Sequence, residues 1–266
     1  MLLRTGNRRI HYDLAGAEDA PVVCLLHSLS QDIGVWAEQL PVLLGAGYRV
    51  ARLDMRGHGG SDPGEGGCTM QELADDVALA LDFLGIARLH LVGLSIGGMI
   101  AQCFAIAYGD RLASLMLCGT SSERLAGGMA GLWQPRFDAM DAAGSLEPLA
   151  DSSMQRWVTD GFAPRRPDRY RQLRETVSAT SLEGYRIGAI AIENYDVTAE
   201  LPSLSVPTLV VCGDEDMGTP PAGNRRIAAL IAGARYVEMP KARHFPMVEY
   251  PQEFAAIMLE WLGVNG

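Results

Sequence analysis

Short apolar runs recur along the chain with longer amphipathic stretches between them. The runs Val22-Val23-Cys24-Leu25-Leu26, Tyr48-Arg49-Val50-Ala51-Arg52-Leu53, Leu89-His90-Leu91-Val92 and Leu115-Met116-Leu117-Cys118 have the length and composition of strands. Between the second and third, residues 70–84 place Leu73, Val77, Leu81 and Leu84 at helical spacing, with Thr69 as a cap candidate and Gly85 as a stop. Strands alternating with helices predict an α/β fold with a mostly parallel central sheet and helices on both faces.

The pattern changes after Gly119. Residues 121–198 hold helix-length stretches, aromatic side chains and breakers at Pro135, Gly144, Pro148, Pro164, Pro167 and Gly184, but no strand-like run. Strand character returns at residues 206–212 and 234–239, and an amphipathic helix over 251–262 closes the chain. The prediction is one core built from residues 1–120 and 199–266, with a helical cap inserted over 121–198 and flanked by both halves of the sheet.

Composition adds limits more than detail. A chain of 266 residues, 48% hydrophobic and 20% charged, suits one soluble catalytic unit, and no apolar run nears the roughly 18 residues of a membrane span. The first nine residues lack the features of a signal peptide, which makes a cytoplasmic enzyme the expectation. A net charge of -10 disfavours nucleic acid. The densest basic cluster, Arg165, Arg166, Arg169, Arg171 and Arg174, is expected to solvate a helix face. Five cysteines without C-x-x-C spacing suggest neither disulfides nor a zinc site.

The chemistry concentrates at Gly93-Leu94-Ser95-Ile96-Gly97-Gly98, which leaves one apolar strand and enters an apolar helix. A serine at such a sharp turn needs small neighbours, stands above the sheet, and faces the positive end of the following helix. Ser95 is therefore the candidate nucleophile, and the Ile96 N–H a candidate oxyanion donor. A serine hydroxyl needs an imidazole to take its proton, and in elbows of this kind the acid and then the histidine follow the nucleophile in the chain. His244 is the one histidine after Ser95. Gly213-Asp214-Glu215-Asp216 offers three carboxylates after the preceding strand; Asp216, just before Thr219-Pro220, is the first choice, with Asp214 and Glu215 as alternatives. The loop Leu26-His27-Ser28-Leu29-Ser30 follows the early strand, and its Leu29 N–H is the second oxyanion candidate.

Together with Asp54-Met55-Arg56-Gly57-His58-Gly59-Gly60-Ser61 and Arg243-His244-Phe245-Pro246, these segments make the chain resemble the α/β-hydrolase superfamily over nearly its whole length. Within it the chain is most similar to the 3-oxoadipate enol-lactonase group. That likeness rests on Ser28-Leu29, the elbow through Met99, Trp133 with Arg136, Glu183-Gly184-Tyr185 and Thr219-Pro220-Pro221. It departs at His27, where that group often carries Asn, and at Phe245-Pro246-Met247. The resemblance implies that Trp133 and Arg136 face the pocket, where a guanidinium would pair with a substrate carboxylate. The plainer reading is a helix anchored by one aromatic, with its arginine in solvent. Trp157, Phe162, Met140 and Tyr185 are further cap residues of either kind. The resemblance also makes residues 54–61 a structural loop in which Asp54 and Arg56 tie backbone together, and leaves His58 outside the chemistry.

The expected function is hydrolysis of a small ester or lactone by Ser95, His244 and Asp216, with no metal or organic cofactor required. Carbon–carbon bond hydrolysis or cofactor-free perhydrolysis on the same triad, and a hydrolase-fold ligand receptor, are the alternatives. Neither nucleic acid nor membrane is an expected partner, and the sequence leaves monomer and homodimer both open.

Overall fold

The computed structural model of the chain describes residues 1–6 and 8–265. Its eight strands are β1 (Leu2–Thr5), β2 (Arg8–Ala15), β3 (Val22–Leu26), β4 (Arg49–Leu53), β5 (Leu89–Leu94), β6 (Leu112–Cys118), β7 (Thr208–Gly213) and β8 (Arg235–Met239). They form one sheet in the order β1-β2-β4-β3-β5-β6-β7-β8, parallel from β4 onward and antiparallel at β1–β2 and β2–β4. Every residue of β5 and of β7 is buried, as two-sided burial of central parallel strands requires. The β1–β2 hairpin lies outside the runs read as strands. Its residues Arg8, Arg9 and Asp13 make it look like loop, whereas in the fold each charge meets an opposite one: Arg8 on Asp76, Arg9 on Asp62 and Asp13 on Arg52.

Helices α1 (Gln39–Gly45), α2 (Met70–Phe83) and α3 (Ile96–Tyr108) follow strands β3, β4 and β5. A capping box starts α2: the Thr69 hydroxyl accepts the Glu72 N–H, and the Glu72 carboxylate accepts the Thr69 N–H. Its Leu73, Val77 and Leu81 are buried, and α2 packs along α3. After the insertion come α9 (Pro221–Leu230), α10 (Pro246–Glu249) and α11 (Pro251–Gly263), the last packing with α1. Among the described residues no helix is long and apolar enough to cross a membrane.

Between β6 and β7 lie α4 (Gln134–Ala143), α5 (Glu147–Trp157), α6 (Phe162–Arg165), α7 (Pro167–Ala179) and α8 (Leu182–Glu193), with a π-turn at Met129–Trp133 ahead of α4. The two chain segments that join them to the sheet run together: Glu123 bridges Asp196, and the Val197 N–H donates to Ser122 O at 2.8 Å.

The basic cluster divides: Arg165 and Arg171 are exposed, as a solvated helix face requires, whereas the other three are held by partners. Arg169 is buried, and its guanidinium donates to both Glu38 oxygens (3.0 and 2.8 Å) and to the Gly34 and Val35 carbonyls. Arg166 joins the same Glu38 at 2.9 Å, and Arg174 pairs with Glu147 and Asp151. A planar fork with five donors can satisfy carboxylate and carbonyls together, so Arg166 and Arg169 fasten α7 to the core, while Arg174 ties it to α5.

The 54–61 loop is structural, though its two charges divide the work. Asp54 accepts the Ile33 and Gly60 N–H groups and bonds the His11 ring. Arg56 donates to the Glu72 carbonyl at 3.4 Å and also pairs with Asp76 of α2, which Arg8 engages as well. Here the α8 end of the insertion also touches the core: a Cβ on Gly184 would lie 2.0 Å from Gly57 O, so only glycine allows the two backbones to meet.

Candidate active site

Ser95 sits between β5 and α3 with φ 58° and ψ −118°, a strained conformation for a residue with a side chain. The turn is tight enough that a Cβ on Gly93 would lie 2.2 Å from Gly97 O, and one on Gly97 would lie 2.6 Å from Leu26 O. Its backbone is held on both sides: Ser95 N–H donates to Cys118 O (2.9 Å), and Ser95 O accepts the Thr120 hydroxyl (2.7 Å) and the Gly98 N–H (2.9 Å). Strain of this kind costs roughly 1–3 kcal/mol and persists only where the surroundings enforce it. Its result is a serine at the C-terminal edge of the sheet, at the positive end of α3.

His244 and Asp216 come together from the loops after β8 and β7. The His244 Nδ1 lies 2.7 Å from Asp216 Oδ2, and both side chains are buried. Asp216 Oδ1 accepts the Gly218 and Thr219 N–H groups (2.8 and 2.9 Å), and Oδ2 accepts the Thr219 hydroxyl (2.9 Å). Burial pushes the Asp216 carboxyl up, but the His244 ring and the Thr219 donors outweigh it and hold it below its ordinary value. With Nδ1 turned to the acid, Nε2 is the nitrogen left for a substrate or a serine. Asp214 and Glu215 are exposed and bond the catalytic loop only through their backbone N–H groups.

The loop after β3 turns at Ser28 to Gln31, closed by the Gln31 N–H on Ser28 O. His27 braces it, with Nδ1 on Ser28 O (2.8 Å) and Nε2 accepting the Met55 N–H (3.0 Å). Leu29 and Ser95 line one cavity of about 410 Å³, together with His244. Among the described residues the Leu29 and Ile96 N–H groups donate to no other protein group. His58 is buried outside this cavity, its Nδ1 on Arg56 O.

The insertion supplies the cavity roof. Trp133 and Arg136 both line it, with the Arg136 guanidinium 5.3 Å from the Trp133 ring centroid and the Trp133 indole N–H without a protein partner. Tyr185 packs edge-on against Trp133 and Trp157 closes the other side, whereas Met140 and Phe162 are buried packing residues away from the cavity. A second arginine was not anticipated. Arg156 lines the same cavity, donates to Ser153 Oγ at 3.2 Å and has no acidic partner among the described residues. Burial, and then the Arg136 charge, push its guanidinium down to about 10. The signal for it was an arginine on the inward stripe of α5, at helical spacing from Leu149 and Ser153.

A strained serine above a parallel sheet, a buried acid–imidazole pair and a roof of inserted helices define an enzyme of the α/β-hydrolase class. The chain belongs to the alpha/beta hydrolase fold family, whose model matches residues 21–251. It is similar to 3-oxoadipate enol-lactonase 2 of Acinetobacter baylyi, 30% identical over 245 residues that span 92% of this chain and 90% of that protein. It is also similar to the crystal structure of the enol-lactonase from Burkholderia xenovorans, at 34% identity and TM-score 0.93, covering 99% of this chain and 100% of that one. A hydrolase from Pseudomonas aeruginosa matches at 33% identity and TM-score 0.92, with 99% and 98% covered.

Proposed function

We propose that the protein hydrolyses a carboxylic ester or lactone through an acyl-enzyme on Ser95. His244 Nε2 takes the Ser95 proton as Oγ attacks the carbonyl, and the oxyanion is held by the Leu29 and Ile96 N–H groups. The imidazolium returns that proton to the leaving alkoxide, which in a lactone stays tethered to the acyl group. Water, deprotonated by the same ring, then attacks the acyl-enzyme and releases the acid and Ser95. Asp216 keeps the ring in the required tautomer and stabilises its charge. The observation that carries this reading is the buried Asp216–His244 pair opening on the cavity that Ser95 lines.

The substrate class follows from the roof. Two guanidinium groups without acidic partners among the described residues, beside an indole N–H, favour a substrate with a carboxylate on its acyl portion, in keeping with the likeness to enol-lactonases. The test is steady-state hydrolysis of a short p-nitrophenyl ester and a panel of lactones and carboxylated enol-lactones. Ser95→Ala and His244→Ala are each expected to lose activity on the order of 10⁴-fold or more, since triad members act as a unit. Retained activity in either variant refutes the assignment, and the panel ranks ester against lactone.

A further inference from the structure

Helix α5 does two things at once. It presents Ser153, Arg156 and Trp157 to the cavity, and its C-terminal turn grips both residues that flank His244. On one side, the Phe245 N–H donates to Trp157 O at 2.9 Å, and the two rings stack with centroids 4.6 Å apart. On the other, the Arg243 guanidinium donates to the Gln155 and Val158 carbonyls at 2.7 and 2.9 Å. The Arg243 N–H itself points elsewhere, to Glu249 Oε2 at 2.7 Å.

Glu249 completes the link. It is a buried carboxylate in the last turn of α10, where an unpaired charge would be costly. Its Oε1 accepts both the N–H (2.7 Å) and the hydroxyl (2.5 Å) of Thr159, just past the end of α5, while Oε2 holds the backbone of the His244 loop. One side chain thus bridges the inserted helices and the loop that carries the imidazole. Asp216 fixes the ring at Nδ1 and the Phe245 ring stacks on it, and the backbone on either side of His244 sets where that ring, and so Nε2, is placed.

We propose that Glu249 is a positioning residue for His244, through which the seat of α5 over the substrate sets the aim of the general base. The kinetic part of this inference rests on the hydrolase reading above. A base displaced by about 1 Å loses on the order of 10²-fold in rate, because proton transfer needs hydrogen-bond geometry to the serine.

Glu249→Gln keeps the shape of the side chain but turns one acceptor into a donor facing an N–H group. Thr159→Val removes one donor on the opposite side of the link and leaves the fold otherwise intact. Both variants are expected to lower kcat, Glu249→Gln by on the order of 10²-fold, with KM nearly unchanged and the double variant no worse than Glu249→Gln alone. A readout without turnover is the proton NMR signal of the His244 Nδ1–H, assigned by its disappearance in His244→Ala. It should shift or broaden in Glu249→Gln, although the Glu249 carboxylate bonds Thr159 and the Arg243 N–H and neither His244 nor Asp216. An unchanged signal with wild-type kcat overturns the proposal, and so does a loss of activity that only tracks the fraction of folded protein in a melting experiment. If the wild type hydrolyses nothing on the panel, the hydrolase reading falls and the NMR signal alone decides the role of Glu249.

Discussion

Two imidazoles show how environment, not residue type, assigns a role. The His244 ring bonds an acid and opens on a cavity; the His58 ring is buried against His27, with Nδ1 on Arg56 O and no partner for Nε2. Burial, reinforced by His27, pushes His58 from 6.5 down to about 3. Its folded value lies below its unfolded one, so this contribution to stability is complete above pH 6.5 and drains away as the pH falls toward 3. The slope is about 1.4 kcal/mol per pH unit for one proton. His90, also lowered by burial, adds in the same direction, while the depressed Asp216 carboxyl matters only below its ordinary value of 3.8. Urea midpoints between pH 7.5 and 4.5 should therefore fall for the wild type and fall less steeply for His58→Gln. Parallel curves would mean that His58 takes up its proton in the folded protein as readily as in the unfolded chain. At this scale the sequence was legible for Ser95 and His244, whose positions in the chain order leave few rivals. It left Asp216 beside two other carboxylates, and burial of the one against exposure of Asp214 and Glu215 is a tertiary fact.

Among the elements, hydrophobic period and caps identified the buried strands and α2 because both signals are local: β5 must be apolar on two faces, and Thr69 with Glu72 lies within one turn. The β1–β2 hairpin and the arginines of α7 escaped because their meaning depends on what lies opposite. Charged β2 reads as loop until β1 and β4 flank it, and Arg169 reads as solvated until Glu38 and two carbonyls surround it. Since Arg169 is buried, Arg169→Met should cost on the order of 3 kcal/mol by leaving Glu38 with only its more exposed partner Arg166. Removing both charges in Glu38→Gln with Arg169→Met should recover part of that loss, as chemical denaturation would show. Equal losses for the single and double variants would place the cost in packing and not in charge.

At the scale of the molecule, the sheet carries Ser95, Asp216 and His244, and the insertion carries Trp133, Arg136 and Arg156. In the proposed reaction, chemistry and selectivity therefore belong to different parts of the chain. Arg136→Met and Arg156→Met are each expected to lower kcat/KM for a carboxylated ester by roughly 10- to 10²-fold, the worth of one charge-assisted hydrogen bond, and to spare a neutral ester of the same length. Measuring the pair of substrates side by side checks this, and equal losses on both would mean that the arginines only support the roof.

By itself the sequence determined the layered α/β plan, and it singled out a glycine-bound serine turn and one later histidine, because strand period, helix caps and tight turns are properties of neighbouring residues. Only the tertiary structure decided which carboxylate is buried beside His244, that a second guanidinium enters the cavity, and that Glu249 joins α5 to the histidine loop. Glu249 and Thr159 stand 90 residues apart in the chain. Pairings over such distances depend on how the helices dock on the sheet, and no local pattern of residues encodes that docking.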